Sequence, residues 1–86
     1  MGRDRRKELL EKYMDGLAKL FKRAENAKSI EECREITVEQ MKLDEWLEKE
    51  DPELFNTDER RTESIRLYQA ISLKVEELGG PRAQAD

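Results

Sequence analysis

Residues 3–27, RDRRKELLEKYMDGLAKLFKRAENA, decide the fold class of this chain. Apolar side chains recur along this stretch at steps of three and four residues, and further apolar side chains flank the row. That spacing predicts an amphipathic α-helix with a wide apolar stripe. The row consists of Leu10, Met14, Leu17, Phe21 and Ala24, and its flanks are Leu9, Tyr13, Leu20 and Ala27.

Gly16 lies inside this first predicted helix, at the border of the stripe near Leu9 and Leu20. A glycine within a helix costs about 1 kcal/mol relative to alanine, so its position needs a reason. One explanation is that a neighbouring helix approaches the backbone closely at Gly16. The other is a slight kink.

A second helix is predicted to begin after Ser29. In the sequence SIEE at 29–32, the serine oxygen accepts a hydrogen bond from the first turn and Glu32 reaches back to the backbone N–H of Ser29, as in a capping box. The helix is expected to end near Glu50, because the next residue precedes a proline and avoids the α region. Its apolar stripe is Ile30, Cys33, Ile36, Thr37, Leu43 and Leu47, with Met41 at the edge.

A short helical turn and a third helix follow. Residues 51–55 have an N-cap, a proline at the first helical position and one turn, and Asn56 is expected to cap the third helix. The first two turns of that helix, residues 57–64, carry no large apolar side chain and are expected to project into solvent. Gly79 and the Gly-Pro pair after it end the helix. The predicted stripe is Ile65, Tyr68, Ile71, Val75 and Leu78, with Leu67 alongside.

These segments predict an all-α fold, an up-down-up three-helix bundle with a short helical turn between helices 2 and 3. Residues 1–79 are expected to form a single helical-bundle domain, and residues 80–86 a disordered C-terminal tail. Hydrophobic residues make up only 36% of the 86 residues and charged residues 44%, so the apolar surface available for a core is small. Such a chain is either a slim bundle or one that completes its core with a partner or a second copy.

The composition excludes several kinds of active site. The chain has no histidine, which rules out Ser-His-Asp and Cys-His catalysis. Its single cysteine, Cys33, rules out an intramolecular disulfide and a Cys/His zinc site. Because Cys33 lies on the stripe of the second helix, we expect a buried structural thiol. We expect no metal and no cofactor.

The sequence contains no segment that predicts contact with a membrane. No apolar run approaches the roughly 18 residues that a membrane span needs, and residues 1–7 have no hydrophobic region behind them for a signal peptide. An unpaired cysteine in so small a chain indicates a reducing compartment. We therefore expect a cytoplasmic protein.

Charge is distributed unevenly along the chain, with a net +4 over residues 1–28 and a net −8 over residues 29–86. Four basic residues of the first helix share one side, opposite the apolar stripe, where they could follow nucleic-acid phosphates. Pairs such as Glu8 with Lys12 are equally typical of an ordinary exposed helix face. A nucleic-acid-associated factor is therefore the alternative function, and the less favoured one. The four residues are Arg5, Lys12, Lys19 and Arg23.

Carboxylates are abundant in residues 31–59, with twelve acidic side chains against three basic ones. The spacing Glu31-Glu32-x-x-Glu35 followed by Glu48-x-x-Asp51 resembles the metal-binding pattern of the MazG-like all-α nucleotide pyrophosphohydrolases. The resemblance implies Mg²⁺-dependent nucleotide hydrolysis, with the two sets of carboxylates on facing helices. In this chain both sets fall on one predicted helix, roughly 24 Å apart. A solvated acidic face is the other interpretation.

The main functional prediction is a small non-enzymatic protein–protein interaction module, such as a regulatory, inhibitory or accessory factor. Its partner surface is expected around the second helix, because Trp46 lies off the stripe and tryptophan is enriched at binding hot spots. Alternatively, Trp46 packs in the core. Val38 and Leu73 also lie off their stripes, and a homodimer could bury either. The expected partner-binding residues are Trp46, Leu54, Phe55, Glu45, Glu48 and Asp51.

Overall fold

The computed structural model describes residues 2–79, with side chains from Asp4 onward. Four helices form that part of the chain: α1 spans Gly2–Asn26, α2 Ile30–Glu50, α3 Pro52–Phe55 and α4 Asp58–Glu77. No strand occurs in residues 2–79, and the predicted all-α class is confirmed. None of these helices is long and apolar enough to cross a membrane. The tail predicted at residues 80–86 lies outside the described residues.

The start of α2 carries the predicted serine cap. The Ser29 hydroxyl oxygen accepts from the backbone N–H of Glu32 at 3.2 Å. The Glu32 carboxylate reaches one residue further back than a capping box requires and accepts from the backbone N–H of Lys28 at 2.9 Å. Two backbone donors at this helix start are therefore satisfied, although the second is not the one predicted.

Asp51 ends α2 and opens α3. Its extended backbone, with φ of −157°, stops α2 where the following proline predicts. Its carboxylate accepts from the backbone N–H of Leu54 at 3.1 Å, which caps α3. The predicted turn at this position is confirmed.

The cap predicted for the third long helix is wrong by one residue. Asn56 closes α3, with its side-chain amide donating to the Pro52 carbonyl at 2.9 Å. The cap of α4 is Thr57, whose hydroxyl oxygen accepts from the backbone N–H of Arg60 at 3.4 Å. Both Asn and Thr are good caps, and Asn56 is already used by the preceding turn. At the other end, Gly79 has φ of 79° and ends the helix as expected.

The three long helices contact one another pairwise. The N-terminal part of α1 lies beside the C-terminal part of α2, where Arg5 pairs with Glu50 at 2.5 Å. The Gln40 amide of α2 donates to the Ser64 hydroxyl of α4 at 2.8 Å. Gln40 is buried, and this bond supplies the partner that a buried amide needs.

The core lies where the three long helices meet. α1 buries three of the four flanking residues of its predicted row, together with Leu17 and Ala24 from the row itself, whereas Phe21 is exposed. The fourth flanking residue, Ala27, is buried just after the end of α1. The centre of the buried stripe is thus displaced toward the predicted flank. The buried apolar residues are Leu9, Tyr13, Leu17, Leu20, Ala24, Ala27, Cys33, Ile36, Leu47, Leu54, Leu67 and Ile71.

The predicted stripe of the third long helix is correct in its C-terminal half and displaced in its N-terminal half. Ile71 is buried, and Val75 and Leu78 pack against the core, as predicted. Ile65 and Tyr68 are exposed, and Leu67 is buried in their place. Arg60 is also buried, although it lies in a turn that was expected to project into solvent. Residues 60, 67 and 71 are seven and four residues apart and therefore share one helical face. α4 turns that face inward because it carries the apolar pair and an arginine whose partners lie inside.

Gly16 marks a close approach of two helices. A Cβ atom at this position would lie 2.9 Å from Leu43 Cδ2 of α2. Real Cβ contacts are longer, so a larger residue would force the Leu43 side chain to move. The close-approach explanation for this glycine is confirmed.

Candidate functional site

A buried polar cluster joins all four helices. The Tyr13 hydroxyl of α1 donates to the Asp44 carboxylate of α2 at 2.6 Å. The Arg60 guanidinium of α4 donates to the Tyr13 oxygen at 3.3 Å and to the Phe55 carbonyl at 2.6 Å. Its carbon lies 4.0 Å from the centre of the Phe55 ring, a cation–π contact. The cluster holds the helices in register.

Burial raises the pKa of Tyr13, and the hydrogen bond to Asp44 raises it further. The phenol therefore stays protonated and acts as a donor. The sequence interpretation missed Arg60 because its turn has no large apolar residue. The available signal was its spacing of seven and eleven residues from Leu67 and Ile71.

The six predicted partner-binding residues do not form one exposed surface. Leu54 is only 8% exposed, and Trp46 and Phe55 are half-buried against the core. Glu45 and Glu48 are exposed. Trp46 and Glu48 are two residues apart in a helix, which directs them to nearly opposite sides.

Asp51, the sixth predicted residue, has structural partners. Besides capping α3, its carboxylate accepts from the Arg6 side chain at 2.8 Å. Arg6 also pairs with Glu53 at 2.5 Å. These bonds tie the start of α1 to the junction of α2 and α3. A partner-binding role for Asp51 stays a prediction.

Three of the four basic residues proposed for nucleic acid already have acidic partners. Arg5 pairs with Glu50 at 2.5 Å, and Arg23 pairs with Glu39 at 2.7 Å. Both glutamates lie in α2. The hydrogen bond to Glu39 raises the pKa of Arg23. The other two residues of the row are Lys19, which pairs with Asp15 at 3.2 Å, and Lys12, which forms no ion pair within the described chain.

The two sets of carboxylates in the MazG-like spacing lie at opposite ends of α2. The Glu32 carboxylate accepts from the backbone N–H of Lys28 at the start of α2. The Asp51 carboxylate caps α3 and pairs with Arg6. Among residues 2–79, no group of three or more acidic or cysteine side chains is placed to hold a metal ion. The resemblance is therefore limited to the spacing of the carboxylates along the sequence.

An apolar groove of about 590 Å³ runs between α1 and α4. Small side chains, Ala18 and Ala70, lie on its two walls. Exposed apolar side chains border it, with Phe21 on α1 and Leu73 on α4. The sequence interpretation noticed Leu73 but did not connect it with α1, because the rotation of α4 was predicted incorrectly.

Cys33 is buried between α2 and α4, as predicted. Burial raises the pKa of its thiol, and the nearby Glu32 carboxylate adds to the effect. A thiol in its neutral form is a poor nucleophile, so this side chain is suited to packing.

Comparison with known proteins finds no matching family model, no matching curated protein and no matching solved structure.

Proposed function

We propose that this chain is a non-enzymatic protein–protein interaction module whose partner element is an amphipathic helix bound between α1 and α4. The groove described above carries this proposal. It combines an apolar α1 wall, exposed apolar side chains at its border and two alanines that leave room for a side chain to enter, while Glu63, Arg66 and Gln69 add polar groups to its α4 wall. Exposed apolar surface of this kind commonly marks an interaction site.

The shape of the groove favours a helix as its ligand. On α1 its wall includes Met14, Ala18 and Phe21, and on α4 Ala70 and Leu73. These residues repeat at three- and four-residue steps, which match the ridges that a third helix presents. Recognition of this kind places the apolar face of a helix in an apolar groove.

The scaffold that we propose is an up-down-up three-helix bundle formed by residues 1–79 as one domain. The pairwise contacts among α1, α2 and α4 support it. So does the position of Arg5 beside Glu50, which brings opposite ends of α1 and α2 together. In this bundle α3 covers one end. A regulatory or accessory role in the cytoplasm is consistent with the free, buried Cys33.

The surface around α2 remains a second candidate for a protein partner. Trp46 is half-buried and offers part of its ring to solvent, and the exposed Glu45 lies next to it. An apolar anchor beside a carboxylate suits a partner with basic and apolar side chains. Leu54 is buried in the core cluster against which Trp46 and Phe55 both pack.

Selection of helical peptides tests the proposal. A displayed library of amphipathic helices is selected against the chain, and the winning peptides are titrated into isotope-labelled protein. The amide signals of Met14, Ala18 and Ala70 are expected to shift. Peptides whose shifts instead surround Trp46 would move the site to α2.

A matched pair of variants sharpens the experiment. Leu73→Glu and Val38→Glu each place a charge at an exposed aliphatic position, 61% and 48% exposed respectively. Only Leu73 borders the groove between α1 and α4. Leu73→Glu should weaken peptide binding by about tenfold or more, and Val38→Glu should leave it unchanged. Equal losses in the two variants contradict the proposed site.

A further inference from the structure

Both walls of the groove between α1 and α4 carry the same pattern of residues. On each wall an alanine that lines the groove is preceded and followed, seven residues away, by a glutamate. Seven residues bring an α-helix back to within about 20° of the same direction and advance it by about 10 Å. The groove therefore has a glutamate at each end of each wall. These residues are Glu11, Ala18 and Glu25 on α1, and Glu63, Ala70 and Glu77 on α4.

The glutamates of the two walls lie side by side because α1 and α4 run in the same direction. Arg60, near the start of α4, donates to Tyr13 in the first half of α1 at 3.3 Å. Farther along both helices, Phe21 and Leu73 line the same groove. Each end of the groove therefore carries one glutamate from each wall. The two pairs are Glu11 with Glu63, and Glu25 with Glu77.

The four carboxylates are accessible to a ligand in the groove. Glu11 and Glu25 are exposed, and neither forms an ion pair within residues 4–79. Glu77 is also exposed, and Glu63 is half-buried as part of the groove wall. A cation carried by a bound helix can therefore reach each of them without displacing a core residue.

Basic side chains beside the groove offset this negative charge only in part. On α4, Arg66 pairs with Glu63 at 3.6 Å and Lys74 pairs with Glu77 at 3.2 Å. Such exposed pairs within one helix are weak, so each carboxylate can accept from a second cation. On α1, Lys22 projects about 40° farther from α4 than Ala18 does, and Lys7 lies one turn before the framed segment.

We infer that the partner helix is basic at both ends of its bound segment, with lysine or arginine side chains flanking its apolar face. The inference rests on the proposed function and specifies the chemistry of the partner. The glutamates of each wall are fourteen residues apart, so the two basic ends are separated by about 21 Å. Charges that flank an apolar seam in this way select the partner of a helix. Between the ends, apolar side chains of the partner enter beside Ala18 and Ala70.

Two synthetic peptides test the charge preference. Both are amphipathic helices of about 20 residues with the same leucine face, matched in helicity by circular dichroism. One carries two lysines beside that face at each end, and the other carries glutamates there. Fluorescence anisotropy should show the lysine peptide binding the native chain roughly tenfold more tightly at low salt, because several exposed ion pairs each add a small gain. The difference between the two dissociation constants should shrink at high salt.

Charge reversal on α1 tests the position of the site. The double variant Glu11→Lys, Glu25→Lys should bind the lysine peptide roughly tenfold more weakly than the native chain does and the glutamate peptide more tightly. A gain for the glutamate peptide cannot come from unfolding. The matched control is Glu45→Lys, Glu48→Lys, which changes the net charge equally at exposed positions of α2. It should keep the native preference.

Three outcomes overturn the inference. Equal affinity of the native chain for the two peptides would show that the glutamates do not select the partner. If Leu73→Glu still weakens both peptides, the groove and the proposed function stand without the charge preference. Loss of the lysine peptide in the α2 control, but not in the α1 variant, would place charge recognition around Trp46. Binding of neither peptide would contradict the proposed function as well.

Discussion

Arg60 shows how one side chain can join several helices. Its side chain is 8% exposed and reaches Tyr13 in α1 and the Phe55 carbonyl in α3, while its guanidinium lies 3.8 Å from Asp44 in α2. Arginine suits this position because its planar head donates in several directions and stacks on a ring. A buried charge is tolerated where its donors have acceptors, as they do here.

We predict that Arg60→Met lowers the free energy of unfolding by about 2 kcal/mol, because the Phe55 carbonyl loses its donor and Asp44 its nearest cation. Methionine keeps much of the apolar stem, so the loss reports mainly on the guanidinium. Urea unfolding measures it. Arg61→Met is the control, since Arg61 is exposed and pairs only with the fully solvated Asp58. Similar losses at the two positions would show that the buried cluster does not stabilise the fold.

Gly16 balances two opposing effects. Gly16→Ala favours the helix by about 1 kcal/mol, but the added methyl must displace the Leu43 side chain, 2.9 Å away. We predict that Gly16→Ala raises the free energy of unfolding by this full amount only in a Leu43→Ala background. In the native background the increase should be smaller. The four chains of this double-mutant cycle are compared by urea unfolding. An equal gain in both backgrounds would mean that the contact imposes no strain.

At the scale of elements, the junction of α2 and α3 depends on Asp51. This one residue ends α2, caps α3 and binds Arg6 of α1. The side-chain oxygen performs the capping, whereas the negative charge serves the contact with Arg6. Asparagine keeps the oxygen and removes the charge, which separates the two contributions.

We predict that Asp51→Ala lowers the free energy of unfolding by about 1 kcal/mol more than Asp51→Asn does, because only alanine removes the cap. The smaller loss in Asp51→Asn should shrink further at high salt, which screens the native ion pair. Urea unfolding at low and high salt measures both effects. If alanine and asparagine are equally destabilising, the cap does not hold α3.

At the scale of the whole molecule, the uneven charge is partly balanced within the chain. Basic α1 lies along acidic α2, and Arg5 and Arg23 both reach carboxylates of α2. Opposite charges on neighbouring helices favour their antiparallel placement. The charge asymmetry in the sequence therefore has an explanation inside the fold, independent of any nucleic acid.

We predict that the double variant Arg5→Glu, Arg23→Glu unfolds at lower urea concentration than the native chain, because like charges then face each other across α1 and α2. The difference between the urea midpoints of the variant and the native chain should narrow in high salt, because salt screens the repulsion. The control is Lys12→Glu, Lys22→Glu, which changes the net charge equally at positions that form no ion pair in residues 4–79. Equal losses in the two variants would attribute the effect to net charge alone.

The sequence predicted only some of the residues at the groove between α1 and α4 and at the surface around α2. Leu73 was correctly identified as lying off its stripe, but its proximity to Phe21 and Ala18 depends on how α4 is rotated against α1. The sequence left open whether Trp46 packs in the core or lies at a partner surface, and in the structure it is half-buried. Leu54, expected as a partner-binding residue, is buried in the core. These outcomes depend on contacts between helices, to which a pattern within one helix is insensitive.

The sequence by itself determined the four helical segments and most of their ends. Apolar spacing, the Ser29 and Asp51 caps and the stop at Gly79 act within one or two turns of backbone, so they can be recognised locally. Only the tertiary structure decided which face of each helix is buried. Arg60 and Gln40 lie inside, while Ile65 and Tyr68 lie outside, because each helix rotates until its polar groups find partners in its neighbours. That rotation depends on all the helices together, and it leaves the apolar outer face of α4 open.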